Sequence, residues 1–266
     1  MLATRIITGL ALGVAVTVAL LFLPTAQALV LLALLWLAGA WEWAGLARLG
    51  ATGRAVYAGA FLVVMLAVAS VPVTWRELDL VLGLALAGWC VALFGILTFP
   101  RRFPSGWVLA VGPVALLPAW LALKAMHEAG PQGPGLALMG LALVWAADVG
   151  AYAVGRRFGR VKLAPKVSPG KTWEGVVGGV IVTFLVAFVG GRWLGLEILP
   201  LLAVALPTAL VSIVGDLTVS MLKRNVGLKD TGRLLPGHGG VLDRIDGLIA
   251  AVPVYAAGLR LSGVLG

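Results

Sequence analysis

Between residues 216 and 246 an otherwise apolar chain carries Asp216, Ser220, Lys223, Arg224, Lys229, Asp230, Arg233, His238, Asp243, Arg244 and Asp246. Asp216, Ser220, Lys223 and Arg224 are spaced i, i+4, i+7 and i+8, so a helix would carry them as one polar line. An acid at the deep end with bases nearer the mouth suits a metal ion held below a phosphate. The competing reading is a charge ladder that only solvates a cavity. Pro236, Gly237, His238, Gly239 and Gly240 make a turn whose backbone N–H groups can converge on an anion. Asp243 and Asp246 follow at i, i+3 on one helical face. Mg²⁺ takes one or two carboxylates and fills its octahedron with water and substrate phosphate oxygens, so these acids beside phosphate-binding bases are candidate ligands. His238 reads as a hydrogen-bonding loop residue or a general acid–base. No His/Cys cluster has zinc spacing, and the one cysteine, Cys90, lies in an apolar run as a small hydrophobe.

A second group lies upstream. Asp148 falls within an apolar stretch, where an ionisable side chain is costly and therefore a functional candidate. Tyr152 and Gly155 share its helical face; the alternative is an acid paired to a cytoplasmic arginine for structure alone. The loop 156–173 carries Arg156, Arg157, Arg160, Lys162, Lys166, Ser168 and Lys171. Ser168 or Thr172 is expected to cap the following helix, with Glu174 in its first turn. Five of the 6 lysines are Lys162, Lys166, Lys171, Lys223 and Lys229, although arginine is the commoner base. Lysine is a compact point charge suited to gripping phosphate without a planar fork. Glu42, between Trp41 and Trp43, is read either as structural or as snorkelling to a membrane interface.

These groups need elements to hold them. The 266 residues are 61% hydrophobic and 12% charged, whereas soluble domains are about 25% charged, so the chain is an integral membrane protein. Continuous apolar runs indicate helices, whose backbone groups satisfy one another in hydrocarbon, and not the alternating segments of a barrel. The expected fold is all-α: a polytopic transmembrane helical protein of about nine spans, at 6–23, 28–47, 55–73, 80–99, 106–123, 135–155, 174–191, 199–221 and 245–264. Residues 1–28 imitate a signal peptide, but an apolar run of about 18 residues exceeds the usual h-region and reads as an uncleaved first span. With the N-terminus cytoplasmic, sixteen of the 20 basic residues fall on the cytoplasmic side, including both basic loops. We read 1–266 as a single integral membrane domain, with spans one to five, at about 6–123, as scaffold and 135–264 carrying the chemistry.

The net charge of +9 speaks to orientation and lipid contact. No basic patch interleaved with aromatics indicates nucleic acid. Trp36, Trp41, Trp75, Trp107 and Trp193 fit an interfacial belt. His127 and Glu128 read as solvated loop residues, and Gly9-xxx-Gly13 and Gly175-xxx-Gly179 as weak hints of a dimer.

The run Ser220-x-Leu222-Lys223-Arg224-x4-Lys229-Asp230-x-Gly232-x2-Leu235-Pro236-x-His238-Gly239-Gly240-Val241-x-Asp243-Arg244-Ile245-Asp246 resembles the signature of the phosphatidate cytidylyltransferase family. The resemblance extends to the stretch with Asp148 and Tyr152, to Ser168-Pro-x-Lys171-Thr-x-Glu174-Gly175, and to Thr4-Arg5-Ile-Ile. Ala3 departs from the lysine common in relatives. The resemblance implies transfer of a cytidylyl group from CTP to phosphatidic acid, by a dimeric inner-membrane enzyme with a cytoplasm-facing polar cavity and a metal pair held by aspartates. Carried over, Asp216 and Asp243 would bind Mg²⁺ or a Mg²⁺-containing pair, with Asp246 close by. Lys223, Arg224, Lys229 and the turn Gly237, His238, Gly239, Gly240 would contact CTP, joined by Asp230 and Arg244. Lys166 and Lys171 would take the lipid phosphate, with Asp148, Ser168 and Ser220 near the substrate.

Two rivals have distinct expectations. A transporter predicts a broken-helix pair in corresponding halves, which the sequence lacks. A transferase with another lipid acceptor shares the motif. The pattern of CDP-alcohol phosphotransferases fails, because Asp243-x2-Asp246-Gly247 is followed by Leu-Ile-Ala-Ala without its arginine.

Overall fold

The computed structural model describes residues 2–71, 74–100, 102–234 and 239–265. Each expected apolar stretch forms one helix: α1 (Leu2–Phe22), α2 (Thr25–Leu46), α3 (Ala51–Ala69), α4 (Trp75–Leu97), α5 (Ser105–His127), α6 (Gly133–Phe158), α7 (Trp173–Leu194), α8 (Ile198–Asn225) and α9 (Leu242–Leu261). Among the described residues seven, α2 to α8, are long and apolar enough to cross a membrane. The described side chains of α1 give a shorter apolar run, Gly9–Phe22, and α9 begins with Asp243, Arg244 and Asp246.

The arrangement sorts helices by what surrounds them. Leu10, Val14, Val18 and Phe22 form an exposed stripe on α1, the face expected toward lipid. By contrast α9 is enclosed, packing against α2, α4, α5, α6 and α8, with Ile249, Val252 and Tyr255 fully buried. The helix that opens with three charged residues is therefore sheltered by protein. Far from that end, Arg260 holds Asp79 of α4 through two nitrogens at 2.9 and 2.7 Å.

Polar backbone freed inside the bundle finds partners. Pro113 in α5 cannot donate to the Leu109 carbonyl four residues earlier, and the Tyr57 hydroxyl of α3 donates to that carbonyl at 3.0 Å. Trp36 and Trp43 of α2 donate their indole N–H groups to Leu116 and Val108 carbonyls of α5, each at 2.8 Å. Trp36 is thus a core residue and not part of an interfacial belt. His127 also departs from expectation: it closes α5 at 3% exposure, with Nε2 3.0 Å from the Leu20 carbonyl of α1, so α1 covers it. Glu128, as expected, is exposed and pairs with Lys124.

The loop 156–173 contains a short antiparallel hairpin, β1 (Lys162–Ala164) with β2 (Ser168–Thr172). Thr172, one of the two expected caps, accepts the Gly175 N–H of α7 at 3.2 Å. The Glu174 carboxylate accepts the Val161 N–H at 3.1 Å, fixing the hairpin to the helix start. Gly175, Gly178 and Gly179 lie against Ala147, Gly150, Ala151 and Val154 of α6. The glycine spacing that hinted at a dimer is therefore used within the chain, where small residues let two helix backbones meet.

A side chain at Gly178 would run into Val154 and the Gly150 carbonyl. Gly178→Leu should cost about 1–3 kcal/mol or more as overpacking and lower the thermal unfolding midpoint in detergent. An unchanged midpoint would show that α6 and α7 do not need this close approach.

Candidate active site

The polar line read on α8 exists. Ser220 donates to Asp216 Oδ1 at 3.2 Å one turn away, and Lys223, a further turn on, is only 9% exposed. Two ion pairs tie this line to other segments. Lys171 of β2 places its Nζ 2.6 Å from Asp216 Oδ2. Lys223 places its Nζ 2.6 Å from Asp243 Oδ1, at the start of α9. Side chains separated by up to 72 residues in sequence thus meet along α8.

Close backbone approach makes this possible. A Cβ on Gly215 would strike the Asp246 carbonyl, so α8 and α9 touch one residue before Asp216. On α9, the position of Gly247 lies against Val144 of α6 and Ser212 of α8. Asp246 therefore sits where three helices meet. Asp246 lies within electrostatic reach of Asp216, Asp148, Lys171 and Lys223, and Asp148, exposed on α6, within that of Asp216, Lys171 and Arg244. Neither Asp148 nor Asp246 has an ion pair within 4.0 Å among the described residues.

Asp243 is the most heavily bonded acid. Its Oδ2 accepts the Thr231 N–H at 2.9 Å and the Gly240 N–H at 3.1 Å, and lies 3.0 Å from the Thr231 hydroxyl. Both carboxylate oxygens are engaged, so Asp243 fastens the turn before α9 to α8. The Gly240 amide, expected to face an anion, points inward to this carboxylate. Gly239 holds φ +85° beside Asp230 and Asp243. Gly237 and His238, with Leu235 and Pro236, lie outside the described residues.

Other expected residues stand further out. The exposed Arg224 directs Nε toward the Val167 carbonyl at 3.5 Å and Nη1 to that of Leu228 at 3.3 Å, bracing the hairpin and the end of α8. Lys166 is exposed in the hairpin turn, Ser168 is partly buried at the start of β2, and Lys229, Asp230 and Arg244 are exposed. The Tyr152 hydroxyl is bonded to Arg156. Three residues absent from the sequence-based set also contribute. Thr231 bridges to Asp243. Asn225 donates to the Phe103 carbonyl and accepts the Phe103 N–H, both at 3.1 Å. Glu42 accepts hydrogen bonds from the turn before α9. Only Glu42, an acid inside an apolar run, left a signal in the sequence.

The side chains of Lys223 and Asp243 are 11% and 8% exposed. Removing one partner of such a pair leaves a buried charge and costs about 3–5 kcal/mol; the other donors to Asp243 should hold Lys223→Met to the lower end. Adding Asp243→Asn should recover part of that loss in chemical unfolding, and a strictly additive double variant would show that the pair is not coupled.

Residues 3–262 match the cytidylyltransferase family. A phosphatidate cytidylyltransferase from Pseudomonas aeruginosa is 46% identical over 233 residues, covering 85% of this chain and 84% of the relative. One from Haemophilus influenzae is 38% identical over 289 residues, covering 96% and 98%, and one from Brucella suis is 37% identical over 273 residues, covering 99% and 94%. The chain belongs to the cytidylyltransferase family.

Proposed function

We propose that this integral membrane protein transfers the cytidylyl group of CTP to phosphatidic acid, giving CDP-diacylglycerol and pyrophosphate. The observation that carries this reading is the joining of two lysine–carboxylate pairs, Lys171–Asp216 and Lys223–Asp243, along α8. Two polyanions must meet in this reaction. The acceptor is a phosphomonoester whose second pKa is near 6, so it is largely dianionic at neutral pH and needs no strong general base. A phosphate oxygen of the lipid attacks the α-phosphorus of CTP as the bond to the pyrophosphate oxygen breaks. The protein's task is positioning and charge neutralisation. Lys171 and Lys223 are the bases nearest the carboxylates and would exchange those partners for phosphate oxygens. We assign Lys223, Arg224, Lys229 and the turn 237–240 to the triphosphate, and Lys166 and Lys171 to the lipid phosphate.

Mg²⁺ is the cation proposed for this site. Among the described residues no group of three His, Cys, Asp or Glu side chains is gathered to hold an ion. Mg²⁺ takes one or two carboxylates and completes its shell with water and substrate oxygens. Of the aspartates proposed as ligands, Asp216 is partly open at 30% side-chain exposure, and Asp246 Oδ1 accepts the N–H of its neighbour Gly247 at 2.8 Å. Asp243 would join them only by releasing Lys223. Bound there, the ion would neutralise triphosphate charge.

We place the site on the cytoplasmic face of a bacterial inner membrane, in a nine-span chain with its N-terminus inside. The basic loops on one side of that topology and the bacterial relatives support this placement. The motif resemblance supports a homodimer.

Purified protein given labelled CTP, Mg²⁺ and phosphatidic acid should form lipid-linked CMP with equimolar pyrophosphate. Product only with a different lipid phosphate would replace the acceptor. Asp216→Asn should lower turnover by about 10²–10³-fold, the scale of losing a transition-state electrostatic contact, while leaving the protein folded. Near-normal turnover would remove Asp216 from the site.

A further inference from the structure

We infer that Glu42 is a positioning residue for this reaction, holding Asp243 and the start of α9 in place from a separate helix, α2. The inference rests on the cytidylyltransferase reading above. Glu42 lies on α2, at 1% exposure, with no ion pair among the described residues. A carboxylate so placed is expensive unless it is hydrogen-bonded. Among the described residues, its hydrogen bonds come from Thr231, Val241 and Leu242. Oε1 accepts the Val241 N–H at 3.1 Å, and Oε2 accepts the Leu242 N–H at 2.8 Å. The Thr231 hydroxyl lies 2.8 Å from Oε2.

Two features make this more than a surface contact. The first N–H groups of a helix have no partner within it, and α9 receives no cap from the Val241 side chain. Glu42 supplies that cap from another helix, where negative charge also suits the helix dipole. The turn is shaped around the carboxylate as well: a Cβ on Gly232 or Gly240 would collide with it. Glu42 is itself on a rigid post, since neighbouring Trp43 is pinned to the Val108 carbonyl of α5.

Thr231 carries the effect to the chemistry. Its hydroxyl stands between Glu42 Oε2 and Asp243 Oδ2, at 2.8 and 3.0 Å, while its N–H donates to the same Asp243 oxygen. Asp243 in turn holds Lys223. A chain of contacts therefore runs from α2 through the turn to the lysine on α8. If Glu42 no longer accepts from Val241 and Leu242, the start of α9 is free to shift, and Asp243 shifts with it.

The test is Glu42→Gln, which keeps the shape but turns an NH₂ toward one of the two backbone donors, alongside Thr231→Val and the double variant. Turnover of CTP and phosphatidic acid is measured together with the thermal unfolding midpoint in detergent. Glu42→Gln should lower kcat about 10–100-fold, the scale of one lost charged hydrogen bond, with the KM for phosphatidic acid unchanged. Thr231→Val should lower kcat by at least tenfold while the protein stays folded at the assay temperature, and the double variant should lose less than the product of the two. Should Glu42→Gln not fold, Thr231→Val decides alone. Wild-type kcat in Thr231→Val, independent losses in the double variant, or a fall in midpoint with normal kcat would each overturn the inference while leaving the family reading intact. Wild-type protein inert toward both substrates would overturn both.

Discussion

Charge inside an apolar bundle must be neutralised where it stands, and the pair Lys223–Asp243 meets that demand where α8 ends and α9 begins. Desolvating two such ions costs several kcal/mol each, so neither is tolerated without the other and without further donors. The structure answers with a dense local set: one ammonium on Oδ1 of Asp243, and the backbone N–H groups of Thr231 and Gly240 on Oδ2. The rest follows from supplying those donors. The turn must fold back over α9, α8 must touch α9 at Gly215, and α9 must be enclosed by other helices.

The second pair, Lys171–Asp216, extends the same logic to the other basic loop. Thr172 and Glu174 fix the hairpin at the head of α7, and Arg224 reaches its Val167 carbonyl. The hairpin thereby presents Lys171 to α8. Lys171 and Lys223 are each paired to an aspartate. In the proposed reaction an arriving phosphate would take over these lysines and release carboxylate oxygens.

Much of this was legible because it is local. Asp216, Ser220 and Lys223 are one and two turns apart, so helical spacing alone aligns them, and the apolar runs delimit the helices. The motif named Asp243 as well, though not that its oxygens would be spent on fastening a turn. Contacts across long separations were not legible. Glu42 is 189 residues from Thr231, and nothing in the Trp41-Glu42-Trp43 run shows that a turn near the other terminus will wrap it. His127 looked solvated beside Glu128, because only the packed structure shows α1 covering it. The β1–β2 hairpin was invisible for a different reason: Pro169 and Gly170 lie in β2, and both residue types are depleted in strands. Lys166 and Lys171 belong to one basic segment, but the hairpin turns one outward and the other to α8.

In the proposed reaction paired charges bring two polyanions into direct contact, with no covalent intermediate on the protein. The stereochemical course at phosphorus tests it most directly. CTP bearing a chiral phosphorothioate at its α-phosphorus would be converted with phosphatidic acid, and the configuration of the CDP-diacylglycerol analogue determined by phosphorus NMR. A single in-line displacement predicts inversion. Retention would require two displacements and a cytidylylated residue, and would contradict this account.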